Sequence, residues 1–258
     1  DTALAEDPPT YDADSVARAV AERAEGTVVR RTVDMTLTNA RNRVEQRIAV
    51  VHKLTDGARR ATRITFVEPN KSRDISFLSH DFTAGAGVDK RWMFLPAARK
   101  TRQVPAAQRG KSFLGTDFSF EDMQSELKFD LRDWQFSYHG SSTQDGRAQH
   151  HLSGTPVDAR TAKEIGYGGF TAIIDEATWI PVRIEFVEPR QKPLKTIEVD
   201  AIELIDGIWT AHDIVATNHQ TQHKTELRFR NVDYAHELDE RMFQAQTLAR
   251  GLDASLLR

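Results

Sequence analysis

The chain has 258 residues, with 35 Lys and Arg against 38 Asp and Glu and a net charge of −3. That balance excludes a global pull toward nucleic acid or an anionic membrane surface. The lack of cysteine excludes disulfide scaffolds, Cys-ligated zinc and thiol catalysis, and no stretch approaches the ~20 apolar residues that span a bilayer.

In chain order, the opening stretch "DTALAEDPPTYDAD" is polar and contains proline. We read it as a mature N-terminus, flexible over residues 1–11, whose signal peptide has been removed; the alternative is a cytosolic protein. Residues 12–26 predict a helix capped by Asp12 or Asp14, with Val16, Ala19, Val20 and Ala24 on one side and Gly26 as its stop. The pattern then alternates as a half-buried sheet does. Val33, Met35 and Leu37 oppose Thr32, Asp34, Thr36 and Thr38; Val44, Ile48, Val50 and Leu54 share a parity, as do Ile64 and Phe66. Leu127, Phe129 and Leu131 read as a further strand. The slip to Trp134, Phe136 and Tyr138 predicts a bulge near Arg132 or Asp133. Ile180, Val182, Ile184 and Phe186 repeat the period, followed by Leu227 and Phe229. Asp56-Gly57, Asp145-Gly146 and Asp206-Gly207 lie between alternating runs and predict type I′ hairpin turns. The sheet is therefore antiparallel, with about ten or eleven strands. "ITFVEP" at 64–69 and "IEFVEP" at 184–189 each end a strand at a Glu-Pro step. A second helix is expected from a cap at Asp239 to Gly251, with Met242, Phe243 and Leu248 on its apolar face. No linker divides the chain, so one domain over 1–258 is expected.

A sheet with one apolar face must bury that face. Two helices and a central segment are few covers for so many strands, and wide sheets curl. The pattern fits a curled sheet with spare apolar volume on its concave side, or a sandwich whose halves cover each other. The segment "RGKSFLGTDFSFEDM" at 109–123 favours the first, because it gathers Phe113, Leu114, Phe118, Phe120 and Met123 into a loop-like stretch. Lys90, Arg91, Arg99, Lys100, Arg102, Arg109 and Lys111 lie near it, with no acid between Lys90 and Thr116. An apolar flap beside a basic run suits an amphiphile, with its tail in a pocket and an anionic head or acidic partner at the rim.

The block "RWMFLPAARKTRQVPAAQRGKSFLGTDFSFEDM" resembles a signature of the LolA-like outer-membrane lipoprotein-sorting protein family. The matching features are Leu95-Pro96, the basic stretch Arg99 to Arg102, and Arg109-Gly110 through Phe118 and Glu121-Asp122. Weaker similarity covers "DMTLTN" at 34–39 and the closing "LDERMFQAQTLARG". The resemblance implies a mainly β fold: a single curved antiparallel half-barrel with covering helices and an apolar cavity between. It implies a periplasmic carrier of lipid or lipoprotein acyl chains, associated with inner-membrane exporters of the resistance-nodulation-division type. No residue role transfers from the lipoprotein carriers to a numbered position in this chain.

On this reading Met35, Ile48, Phe66, Met93, Phe113, Leu114, Phe118, Phe120, Met123, Trp134 and Phe136 line the cavity and its flap. Arg91, Arg99, Lys100, Arg102 and Arg109 meet a head group or a partner. Which strand parity faces inward stays open. The rivals are an accessory protein that docks on an exporter without cargo, and a lipid hydrolase. For the latter, Ser112 has no identifiable base, no Gly-x-Ser-x-Gly elbow is present, and Glu121 and Asp122 suit a helix start. His150-His151 alternate faces, and His212, His219 and His223 offer too few convergent ligands for zinc. "GYGGF" at 166–170 suits a bend or close backbone approach better than a phosphate loop. No cofactor, metal, nucleic acid or catalytic step is expected.

Overall fold

The protein's computed structural model describes residues 10–83 and 86–250. Residues 1–9 of the expected flexible terminus and the expected helix stop at Gly251 lie outside the described residues. Helix α1 spans Ala13–Glu22, α2 Phe120–Ser125 and α3 Ala159–Ile165. The strands are β1 Val28–Thr38, β2 Val44–Asp56, β3 Arg59–Glu68, β4 Ser76–Phe82, β5 Lys90–Leu95, β6 Lys100–Gln103 and β7 Trp134–Gln144. They continue with β8 Arg147–Pro156, β9 Gly169–Asp175, β10 Pro181–Val187, β11 Pro193–Ile205, β12 Ile208–Asn218 and β13 His223–Asp233. Among the described residues all thirteen pair antiparallel in one curved, unclosed sheet, ordered β6-β5-β4-β3-β2-β1-β13-β12-β11-β10-β9-β8-β7. The count exceeds expectation partly because β6, Lys100-Thr101-Arg102-Gln103, has no apolar residue to alternate.

The chain starts in the middle of this sheet, walks outward to β6, and reappears at the opposite edge as β7. Residues 104–133 make that crossing over the concave face. Apolar side chains from the inner faces of both halves meet there with Val16, Ala17 and Val20 of α1. The cap of α1 is Asp12: Ser15 N donates to its carboxylate at 2.8 Å, and Asp12 N donates to Ser15 Oγ at 2.9 Å. The helix ends at Glu22, short of Gly26, and its buried alanine is Ala17 in place of Ala19. Asp145-Gly146 and Asp206-Gly207 form the expected turns with positive φ at both residues; at Asp56-Gly57 only the glycine is left-handed.

Four local readings are corrected. On β2 the inward residues are Arg47, Ala49, Val51 and Lys53, because Ala49 pairs with Val33 and Val51 with Arg31. Val44, Ile48, Val50 and Leu54 therefore face outward; charged inward positions disguise the parity. Residues 126–133 form no strand, since Glu126 and Leu127 adopt left-handed φ of 47° and 64°. Leu127 and Phe129 are buried all the same, as parts of the crossing. The slip at Arg132 and Asp133 is the start of β7, and the real irregularity in that hairpin lies between Tyr138 and Ser141. The C-terminal helix is replaced by two 3₁₀ turns, Glu240–Phe243 and Ala245–Arg250. There Arg63 Nη1 donates to Met242 O at 3.0 Å and His80 Nε2 contacts Phe243 O at 2.7 Å, taking carbonyls an α-helix would use. The expected apolar residues Met242, Phe243 and Leu248 are buried, but on the convex face against Ala61, Leu78 and Phe94.

Phe113 anchors the crossing. It is fully buried, stacked 6.2 Å from Phe66 and edge-on to Phe77 at 5.4 Å and Phe120 at 5.5 Å. Phe113→Ala is expected to lower the unfolding free energy by about 3–5 kcal/mol, measured by urea denaturation. A loss below about 1 kcal/mol, the size of an ordinary surface change, would show that the crossing does not depend on it.

Candidate functional site

The crossing segment is fixed at both ends of its apolar turn. Ser119 caps α2, its Oγ accepting from Asp122 N at 3.1 Å, while Ser119 N donates to the Asp122 carboxylate at 2.6 Å. Asp122 then pairs with Lys195 on β11 and accepts from the Tyr167 hydroxyl at 2.7 Å. Asp117 accepts from Thr225 Oγ1 at 2.7 Å and contacts His223 Nδ1 at 2.5 Å, both on β13. On the other side Arg47 Nη1 donates to Leu114 O at 2.6 Å. Gly110 lets the segment press on the end of α3: a Cβ there would lie 2.4 Å from Ile165 O.

Beneath the segment lies a cavity of about 100 Å³. Its apolar walls include Val29, Val51, Ile64, Ile184, Phe186, Ile197, Ala211, Ile214, Leu227 and Phe229 from the sheet, with Phe118, Met123, Leu127 and Phe129 above. Trp209 lines it and is 41% exposed, so the cavity reaches the surface there. Across residues 121–130 runs an open groove of about 510 Å³, lined among others by Arg60, Asp81, Glu121, Gln124, Lys128 and Leu131.

Of the residues expected to line a cavity, Phe118, Met123 and Trp134 do so. Met35, Phe66, Phe113 and Phe120 are buried in the packed core beside it, with Met93, Leu114 and Phe136 packed against that core. Ile48 pairs with Asp34 on the convex face and lies across the sheet from the cavity. The basic set does not converge. Arg91 is inside, its Nε donating to Gln124. Arg109 is held by Glu121 at 2.8 Å and by Asp133. Arg99, Lys100 and Arg102 are exposed at the β6 edge. Among the histidines, His219 contacts Thr196 at 2.8 Å and His150 stacks on Trp179 at 5.1 Å. Sequence reasoning missed Arg31, Lys53 and Arg60, whose signal was their place inside otherwise apolar strand parities.

Those missed residues belong to a polar patch on the concave floor. Lys53, Thr62, Ser79 and Arg91 are direct cross-strand neighbours on β2 to β5, and are 3%, 1%, 0% and 3% exposed. Arg60 pairs with Asp81 one rung toward the sheet's end. Val51, Ile64, Phe77 and Met93 form the apolar rung on the inner side. The cover is acidic. Glu126 accepts from Arg31 at 2.6 Å and Lys53 at 3.0 Å. Glu25 meets Lys53 at 3.2 Å, Arg60 at 3.3 Å and Lys128 at 3.4 Å.

Burial pushes the Glu126 carboxyl up, but Arg31 and Lys53 outweigh it and hold it at about 2. Glu25 is depressed in the same way by Lys53, Arg60 and Lys128 against its own burial. Burial wins at Asp81, raising it to about 7 despite Arg60 and Arg91. The two shifts have opposite consequences. Glu126 stabilises the fold above the ordinary carboxylate range and loses that contribution as pH falls toward about 2. Asp81 keeps its proton in the fold while the unfolded chain loses it, so it costs stability as pH rises from about 4 to about 7. Asp81→Asn is therefore expected to match wild type at pH 4 and exceed it by roughly 2–4 kcal/mol at pH 7.5. Urea midpoints at the two pH values check this; an equal difference at both would refute the buried, protonated Asp81.

A protein-family model with the description "Uncharacterized protein" matches residues 58–250. No curated protein matches the chain. Among solved structures, a domain assigned as an outer membrane lipoprotein-sorting protein, from Vibrio parahaemolyticus, is 26% identical with a TM-score of 0.82, over 92% of this chain and 98% of that one. A DUF1329 family protein from Desulfovibrio piger is 20% identical with a TM-score of 0.81, over 91% and 96%. A LolA superfamily protein from Nitrosomonas europaea is 14% identical with a TM-score of 0.67, over 91% and 98%. The last two share the fold. Since the family model spans well over half of the sequence, the chain belongs to that family, and it has a LolA-like fold, shared with the outer membrane lipoprotein-sorting protein domain from Vibrio.

Proposed function

We propose that the protein is a periplasmic carrier that takes up lipid or lipoprotein acyl chains, works with an inner-membrane exporter of the resistance-nodulation-division type, and catalyses no reaction. The observation that carries this reading is the apolar concave face under a single crossing segment, with a cavity that reaches the surface at Trp209. A tail entering there gains about 0.8 kcal/mol per buried methylene. The name of the Vibrio neighbour supports the cargo class. No helix among the described residues is long and apolar enough to cross a membrane.

The cavity as formed, about 100 Å³, is smaller than the ~150 Å³ that accommodates a benzene ring. Uptake therefore requires the crossing segment to lift. The same small volume, with the exposed basic edge at Arg99, Lys100 and Arg102, supports the second reading: an accessory protein that docks on a transporter and carries nothing.

Organic extraction and native mass spectrometry of the purified protein separate the two. A carrier is expected to retain amphiphiles, or to bind palmitate when it is offered. Ala211→Leu, whose added carbons are few enough for the cavity to hold, is expected to reduce that binding at least about tenfold with little change in the unfolding midpoint. A wild-type protein that neither retains nor binds an amphiphile leaves the accessory reading in its place.

A further inference from the structure

The buried patch on β1 to β5 has more donors than acceptors. Thr62 Oγ1, Arg31 Nε, Arg60 Nε and Arg91 Nη2 have no hydrogen-bond partner, against one unpartnered carboxylate oxygen, Asp81 Oδ1. Arg91 and Thr62 are each more than nine-tenths buried. Arg91 Nη2 lies 3.8 Å from Glu121 Oε2, near enough to sense its charge and too far to bond it. The charge is equally lopsided. Glu121 and Glu126 belong to the crossing segment, so lifting it removes them. The floor then keeps Arg31, Lys53, Arg60 and Arg91, with Glu25 and Asp81 as the remaining acids.

We propose that this patch seats the anionic head, carboxylate or phosphate, of the carried amphiphile, and that Glu121 and Glu126 stand in for that head while the protein is closed. The inference rests on the carrier reading and names its cargo class. Closing without cargo would otherwise bury uncompensated cations, which costs several kcal/mol per ion. The roof carries its own carboxylates to the site and withdraws them on opening. A planar or tetrahedral oxyanion offers the acceptors that three guanidinium groups and a hydroxyl lack in the closed form. The tail then runs from the patch over Ile64 and Val51 into the apolar cavity, one rung away.

The test compares palmitate, lysophosphatidic acid and the uncharged methyl palmitate on the full chain by equilibrium dialysis. The two acids, or one of them, are expected to bind at least about tenfold tighter than the ester; a preference between them identifies carboxylate or phosphate. Arg91→Gln is expected to erase most of that gap and leave the ester unchanged. Thr62→Val, which keeps every charge, is expected to narrow it about threefold. Glu126→Gln, which removes one stand-in, is expected to tighten the acids about threefold with the ester unchanged, a gain that a purely structural role for Glu126 cannot produce. An ester that binds as tightly as both acids overturns the head site and leaves the carrier reading standing. Failure of all three probes to bind overturns both.

Discussion

Everything in this structure depends on one topological obligation: the link from β6 to β7 must pass from one edge of a thirteen-stranded sheet to the other. A flat sheet that wide would measure about 60 Å at ~4.8 Å per strand, more than a thirty-residue link with its own turns can span comfortably. Curvature shortens the distance and directs the link over the concave side. The same segment therefore closes the core, roofs the cavity and touches both walls. Its aromatic turn is wedged against Phe66 and Phe77. Asp117 and Asp122 tie it to β11 and β13 on the far wall.

The roof is held differently along its length. The part before residue 121 rests on buried aromatic rings, and moving it would strip core contacts worth several kcal/mol. The part from Glu121 to Lys128 also buries Met123 and Leu127, but Lys128 and its partner Glu25, with Arg60, face a groove open to water. Breaking such a pair inside a dry core leaves a buried charge and costs about 3–5 kcal/mol. Along the groove Glu25, Arg60 and Lys128 can hydrate once separated, so the cost there falls toward that of surface pairs. Glu126 and Leu127, in the left-handed region, also lie in this part. On the carrier reading, the stretch from Glu121 is where the roof lifts, giving up the Asp122–Lys195 pair, while the Phe113 anchor stays in place.

Much of this was legible in the sequence, and the failures share a cause. Asp145-Gly146 and Asp206-Gly207 fixed two hairpins because their chemistry is local. Alternation of Val33, Met35 and Leu37 fixed the face of β1 because every inward residue beside them is apolar or paired. On β2 the same logic selected the wrong face, since Arg47 and Lys53 point inward and are satisfied by Leu114, Glu25 and Glu126, far away in the chain. Ile48 went to the cavity for that reason. Leu127 and Phe129 read as a strand because their burial alternates with that of Lys128 and Asp130, although the segment there turns and pairs with no strand. The basic run from Lys90 to Lys111 looked like one patch. Strand direction divides it: Arg91 points into the core, while Lys100 and Arg102 sit on an exposed edge.

That division gives the two basic groups separate physical tasks. Charged residues on β6 oppose pairing of the open edge with another strand, and solvent screens them beyond about 10 Å at ordinary salt. They can influence what approaches the molecule and have little leverage inside it. Arg91 and Lys53 lie in a site from which water is largely excluded, where a single charge or hydrogen bond weighs several times more. On the carrier reading, selection among cargoes therefore comes from the concealed set, even though the exposed one dominates the sequence. The cavity's wall is mostly hydrocarbon, and on the carrier reading the buried polar patch, with Tyr167, Thr210 and Tyr234 at the same cavity, is what tells one amphiphile's head from another's.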